Sequence, residues 1–214
     1  MPPPKTYNYT TNDVSIVEGN SRVFLDFRDS TGKFVPSFRE NNIGYRSYAN
    51  KKFQQAKQRC NPECKAFRGA EFHFLEFQDF ADWITKEKFY GYPNYELDKD
   101  LFYDGEILRY SKETCCLIPA SLNSIIVNKK VGASGIIGAG FNTYHDKYRC
   151  VVTYKLFGGE TKDKFIGYFK DVEECHERYI YEKMNVIRGV VAESYKDHVD
   201  VKVYEKLKHW KPRK

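Results

Sequence analysis

Three groups of residues along the 214-residue chain are equipped for chemistry. The first is sulfur and imidazole: Cys60, Cys64, Cys115, Cys116, Cys150 and Cys175, with His73, His145, His176, His198 and His209. Zinc takes four such ligands, and Cys60, Cys64, His73 and one of Cys115 or Cys116 would make a mixed set. The chain has no Cys-x-x-Cys pair, so zinc is not expected, and the thiols read as small buried apolar groups. The second group is a pair of carboxylates around a lysine, Asp98-Lys99-Asp100; by themselves they suit a surface turn. The third is cationic. Lys129 to Lys155 holds five Lys/Arg against one Asp, and Glu205 to Lys214 holds five against one Glu. Each stretch is four charges positive while the whole chain is only six positive, so the remainder is slightly acidic. Lys and Arg gathered at one end of a chain are what a phosphate-binding face requires.

These groups must be positioned by something. Apolar residues make up 41% and charged residues 30%, a globular balance. No window approaches a membrane span, and the start, Met1-Pro2-Pro3-Pro4-Lys5, lacks the apolar region of a signal peptide. Adjacent Cys115-Cys116 is awkward for a disulfide framework, so a reducing cytoplasm is expected.

The first 45 residues read as a polar N-terminal extension with a strand at Val23–Phe27 and a turn at Arg28–Lys33. Residues 46–60 read as a basic amphipathic helix. The spacing of Phe74, Phe77, Phe80 and Ile84 predicts a helix with a core-facing stripe that includes Phe72. Residues 95–128 read as a strand, a turn, a second strand at Ile107–Tyr110, and a helix through Leu122, Ile125 and Ile126 after Pro119. A boundary is expected in Lys129–Gly140. Beyond it Lys147–Lys155 alternates as a strand, Gly158-Gly159 marks a hairpin, and Lys164–Phe169 makes another strand. Asp171 caps a helix, with Glu174 three residues on. The expected fold class is α+β.

Two resemblances then appear. Tyr95-Glu96-Leu97-Asp98-Lys99-Asp100-Leu101, Tyr110-Ser111-Lys112-Glu113-Thr114-Cys115-Cys116-Leu117-Ile118-Pro119 and Leu122-Asn123 resemble a signature of tailed-phage HNH homing-endonuclease-like proteins. The run from Arg59-Cys60 to Phe77, Phe80 and Trp83 is similar to the aromatic region of that family. Separately, Lys147-Tyr148-Arg149-Cys150-Val151-Val152 and Phe165-Ile166-Gly167-Tyr168-Phe169-Lys170-Asp171 resemble the plant ethylene-response-factor (APETALA-type) DNA-binding domain. That domain is a three-stranded sheet backed by a helix, with the sheet in the major groove.

The resemblances imply a ββα-metal-like core at 46–128 and an APETALA-like domain with a basic tail at 129–214. They imply a divalent ion, Mg²⁺, held by Asp98 or Asp100 on a strand and by Asn123 on a helix, hydrolysing a phosphodiester. The histidine such nucleases carry is absent, and Lys99 stands near its place as base or phosphate clamp. Arg149, Thr153 and Lys155 would face double-stranded DNA, with Lys129, Lys130, Lys147 and Lys164 on phosphates. The arginines with which the plant domain's first strand reads guanine are missing from Ser134–Gly140. The leading expectation is thus a phage-type, Mg²⁺-dependent DNA endonuclease acting in the bacterial cytoplasm. The alternatives are a catalytically silent DNA-binding or inhibitory protein on the same scaffold, with a host or phage protein partner, and a protein-interaction module.

Overall fold

The computed structural model describes residues 8–10, 26–29, 31–40, 43–65, 69–103, 105–127 and 134–212. The chain is α+β and forms two compact units, Met1–Leu117 and Ile118–Lys214. The sequence places the boundary in Lys129–Gly140. The helix ahead of that stretch instead groups with the second unit, where the Tyr195 hydroxyl is 2.9 Å from Ser121 Oγ.

In the first unit β1 (Asn8–Thr10) pairs antiparallel with β2 (Asp26–Arg28), and β3 (Ser37–Glu40) with β4 (Ile43–Arg46). The expected strand at Val23–Phe27 lies partly outside the described residues; its end is in β2. The turn at Arg28–Lys33 forms because Asp29 Oδ1 accepts the Thr31 and Lys33 backbone N–H groups at 2.8 and 3.1 Å. Helix α1 (Tyr48–Arg59) starts at Ser47, whose Oγ accepts the Asn50 N–H at 3.1 Å. It ends at Cys60, two residues before Pro62, which suits no helix interior.

Phe72 and Phe74 depart from the expected helix. Phe72 sits in β5 (Glu71–Phe72), which pairs in parallel with β7 (Arg109–Tyr110), Phe74 follows it outside any helix, and helix α2 (Phe77–Ile84) begins only at Phe77. The predicted stripe still converges on a core, because both backbone shapes turn these rings inward. Phe53 lies 5.3, 5.6 and 5.5 Å from Phe72, Phe77 and Phe80, and Phe74 lies 4.9 Å from Phe80. Edge-on ring pairs at these spacings add to the area they bury. Strand β6 (Tyr95–Asp98) shares a two-stranded sheet with β8 (Cys116–Pro119), and α3 (Ala120–Ile126) follows β8 directly. The segment at Ile107–Tyr110 therefore pairs with β5, outside the strand–strand–helix run.

The second unit is built on an antiparallel sheet in the order β9 (Ala139–Asn142), β10 (Lys147–Lys155), β11 (Thr161–Phe169), with β10 central. Gly158 and Gly159, at φ of +91° and +93°, close the β10–β11 hairpin, where Leu156 N–H donates to Glu160 O at 2.9 Å. Helix α4 (Val172–Val186) is capped by Asp171, whose Oδ1 accepts the Glu174 N–H at 2.7 Å. It covers one face of the sheet, with Ala139, Cys150 and Cys175 buried among Tyr148, Ile166, Phe169 and Tyr179. The helix runs on through a π-helical turn, Ile187–Val191, into α5 (Ala192–Tyr195). After a 3₁₀ turn, α6 (Val201–Lys208) brings Leu207 and Trp210 into the interior, and Arg188 Nε donates to Trp210 O at 2.8 Å.

Candidate nucleic-acid interface

The central strand sorts its side chains by parity. Cys150 and Val152 are buried, Cys150 against Cys175 of α4, while Arg149, Thr153 and Lys155 are exposed and Lys147 and Val151 are partly so. Lys147, Arg149, Thr153 and Lys155, all expected at DNA, therefore share one outward face. Thr153 Oγ1 donates to Asp163 Oδ1 at 2.5 Å, so this hydroxyl is already engaged with a neighbouring strand. Gly140 stands opposite Arg149. A Cβ there would meet nothing nearer than the Arg149 carbonyl oxygen at 4.0 Å, which leaves the surface beside Arg149 open.

Lys164 is placed elsewhere. It pairs in register with Val152, on the helix side of the sheet, and its Nζ donates to Glu182 of α4 at 2.6 Å. Lys129 and Lys130 lie outside the described residues. The basic C-terminal stretch is not a loose tail through Trp210, since Leu207 is fully buried and Trp210 is 5% exposed.

Sequence periodicity misses the outward placement of Phe165 and Tyr168. In β10–β11 the register runs Arg149↔Tyr168, Cys150↔Gly167, then Val151↔Phe165, so Ile166 is an extra residue without a partner. Such a bulge re-aims the side chains beyond it. Phe165 and Tyr168, three residues apart, consequently both face outward, with ring centroids 5.3 Å apart. The His145 ring lies 4.2 Å from Tyr168 and 4.9 Å from Tyr144. Asn142 Oδ1 sets that turn by accepting the His145 backbone N–H at 3.0 Å. The Arg149 guanidinium carbon is 5.9 Å from the Phe165 ring centre.

The acidic turn is in the first unit. Asp98 is 2% exposed, and its Oδ2 accepts the Asp100 and Leu101 backbone N–H groups at 3.0 and 2.8 Å. Burial pushes its carboxyl up to about 6, against the two amide hydrogen bonds and Lys99, which favour the charge. Lys99 Nζ donates to Asp100 Oδ2 at 3.0 Å and lies 5.4 Å from the Tyr110 ring centre. Asn123 belongs to the second unit, half-buried within α3.

Magnesium demands oxygen ligands held close around it. One oxygen of Asp98 is taken by two amides, one of Asp100 by Lys99, and among the described residues no three His, Cys, Asp or Glu side chains gather to hold a metal. The mixed zinc set is likewise not assembled among those residues. His73 Nε2 is 2.7 Å from Glu71 Oε2, and burial pushes the Cys60 thiol up to about 11.

No protein-family model, curated protein or solved structure matches the chain.

Proposed function

We propose that the chain is a DNA-binding protein that grips the duplex backbone with the outward face of β9–β11 and does not cut it. The observation that carries this reading is the placement of Lys147, Arg149 and Lys155 on one exposed face of a three-stranded sheet whose other face is sealed by α4. Cations meeting phosphates supply most sequence-independent affinity. The absence of arginine from Ser134–Gly140 removes the side chains that would read guanine from that stretch. Binding of this kind holds DNA without a strict target.

The opposing reading, an Mg²⁺-dependent endonuclease with Asp98 and Asn123 as ligands, is favoured by the order β6, β8, α3, which is the strand–strand–helix order of the ββα class. Incubation with supercoiled plasmid, with Mg²⁺ or Mn²⁺ and with EDTA, decides between them. Retarded but intact plasmid supports the binding reading. Metal-dependent nicking abolished in Asp98→Ala and Asn123→Ala would overturn it. A salt series separates both from a protein-interaction module. Three phosphate contacts give a log–log slope of about −3, and an affinity that does not fall with salt would remove DNA as the ligand.

A further inference from the structure

The outward face carries more aromatic surface than gripping a duplex backbone needs. Tyr144 is 90% exposed and Phe165 54%. With His145 and Tyr168 between them the rings form one strip, with centroid steps of 4.9, 4.2 and 5.3 Å. Arg149 lies beside the Phe165 end of this strip, and Lys147 and Lys155 flank Arg149 along β10. Asp163 on β11 is engaged by Thr153, and Asp146 lies in the β9–β10 turn.

In paired DNA each base has both π faces covered by its neighbours, so a protein ring reaches them only by prising a step apart. In unpaired DNA those faces are open, and exposed rings stack on them with little sequence preference. Exposed rings in a row, next to cations that would follow the backbone, are the pattern of a stacking platform.

We propose that the Tyr144–His145–Tyr168–Phe165 strip receives unpaired bases, so that the preferred ligand is DNA containing a short single-stranded stretch. This rests on the DNA-binding reading above and names the form of DNA that the same face selects. The bulge at Ile166 is the device that makes the strip, because without it Phe165 would turn towards α4.

The test is fluorescence anisotropy on three labelled probes: a perfect duplex, the same duplex with a central four-nucleotide bubble, and its single strand. The bubble is expected to bind at least about ten-fold tighter than the duplex, the gain of one stacked base. Phe165→Leu and Tyr168→Ala should each lower bubble affinity at least about five-fold more than duplex affinity, removing most of that preference; Phe165→Leu keeps apolar bulk on the exposed strand but no π face. Arg149→Gln should weaken all three probes. Equal affinity for bubble and duplex in the wild type, or variants that weaken both alike, would overturn the proposal and leave the DNA-binding reading standing. Failure to bind any probe would overturn both.

Discussion

Asp98 is the residue whose substitution best separates a buried structural carboxylate from a metal ligand. Its carboxyl is pushed up to about 6 from an ordinary value of 3.8 because burial disfavours the charge. The folded chain therefore holds this proton more tightly than the unfolded chain does. Between about pH 4 and pH 6 the folded state carries more protons, so stability falls as pH rises through that window, and the cost is complete above it. A displacement of this size is worth about 3 kcal/mol at neutral pH. Asp98→Asn removes the charge and keeps an oxygen able to accept the Asp100 and Leu101 N–H groups. Its new amide N–H group costs about 1–3 kcal/mol if left without an acceptor. That cost does not depend on pH, so comparing the two proteins at pH 7.5 and pH 4 cancels it. Relative to wild type, the variant should be about 2–3 kcal/mol better off at pH 7.5 than at pH 4, measured by urea unfolding at each pH. The reasoning fails if the difference is near zero or reversed. It also fails if millimolar Mg²⁺ stabilises the wild type at pH 7.5 and leaves the variant unchanged, for then Asp98 is ionised to hold a metal.

Other outcomes follow from single contacts. Gly138 has φ +82°, and a Cβ there would lie 2.1 Å from the Tyr179 ring, so Gly138→Ala should cost about 2–5 kcal/mol, read as an earlier thermal transition. Asp171→Ala removes the cap of α4 and should cost about 1 kcal/mol in urea unfolding, whereas Asp171→Ser should recover most of it. Lys155→Ala should lower the salt slope of duplex binding by about one, while Lys164→Ala, whose ammonium is spent on Glu182, should leave that slope unchanged.

What could be read from the sequence was local, and what could not was decided by pairing between distant segments. The cap at Asp171, the hairpin at Gly158-Gly159 and the alternation of β10 each depend on residues within a few positions of one another. Phe72 misleads because its spacing fits a helix, yet pairing Glu71↔Arg109 and Phe72↔Tyr110 across nearly forty residues draws it into an extended segment. The outward face of the second unit shows the same limit more sharply. Period-2 reading of Lys164–Phe169 puts Phe165 and Tyr168 on opposite faces and gives no warning that Lys164 pairs with Glu182 of α4. One unpartnered residue, Ile166, shifts the register between Cys150 and Val151 and brings both rings to the same side. Ile166 packs inward with Tyr148 and Phe169, so the core of the sheet fixes the bulge and the bulge sets which chemistry faces out. Cations here could be counted from the sequence, but the Phe165 and Tyr168 rings beside them could be found only through the strand pairing. If the strip receives unpaired bases as proposed, the choice between paired and unpaired DNA lies in the register of β11 more than in the composition of the face.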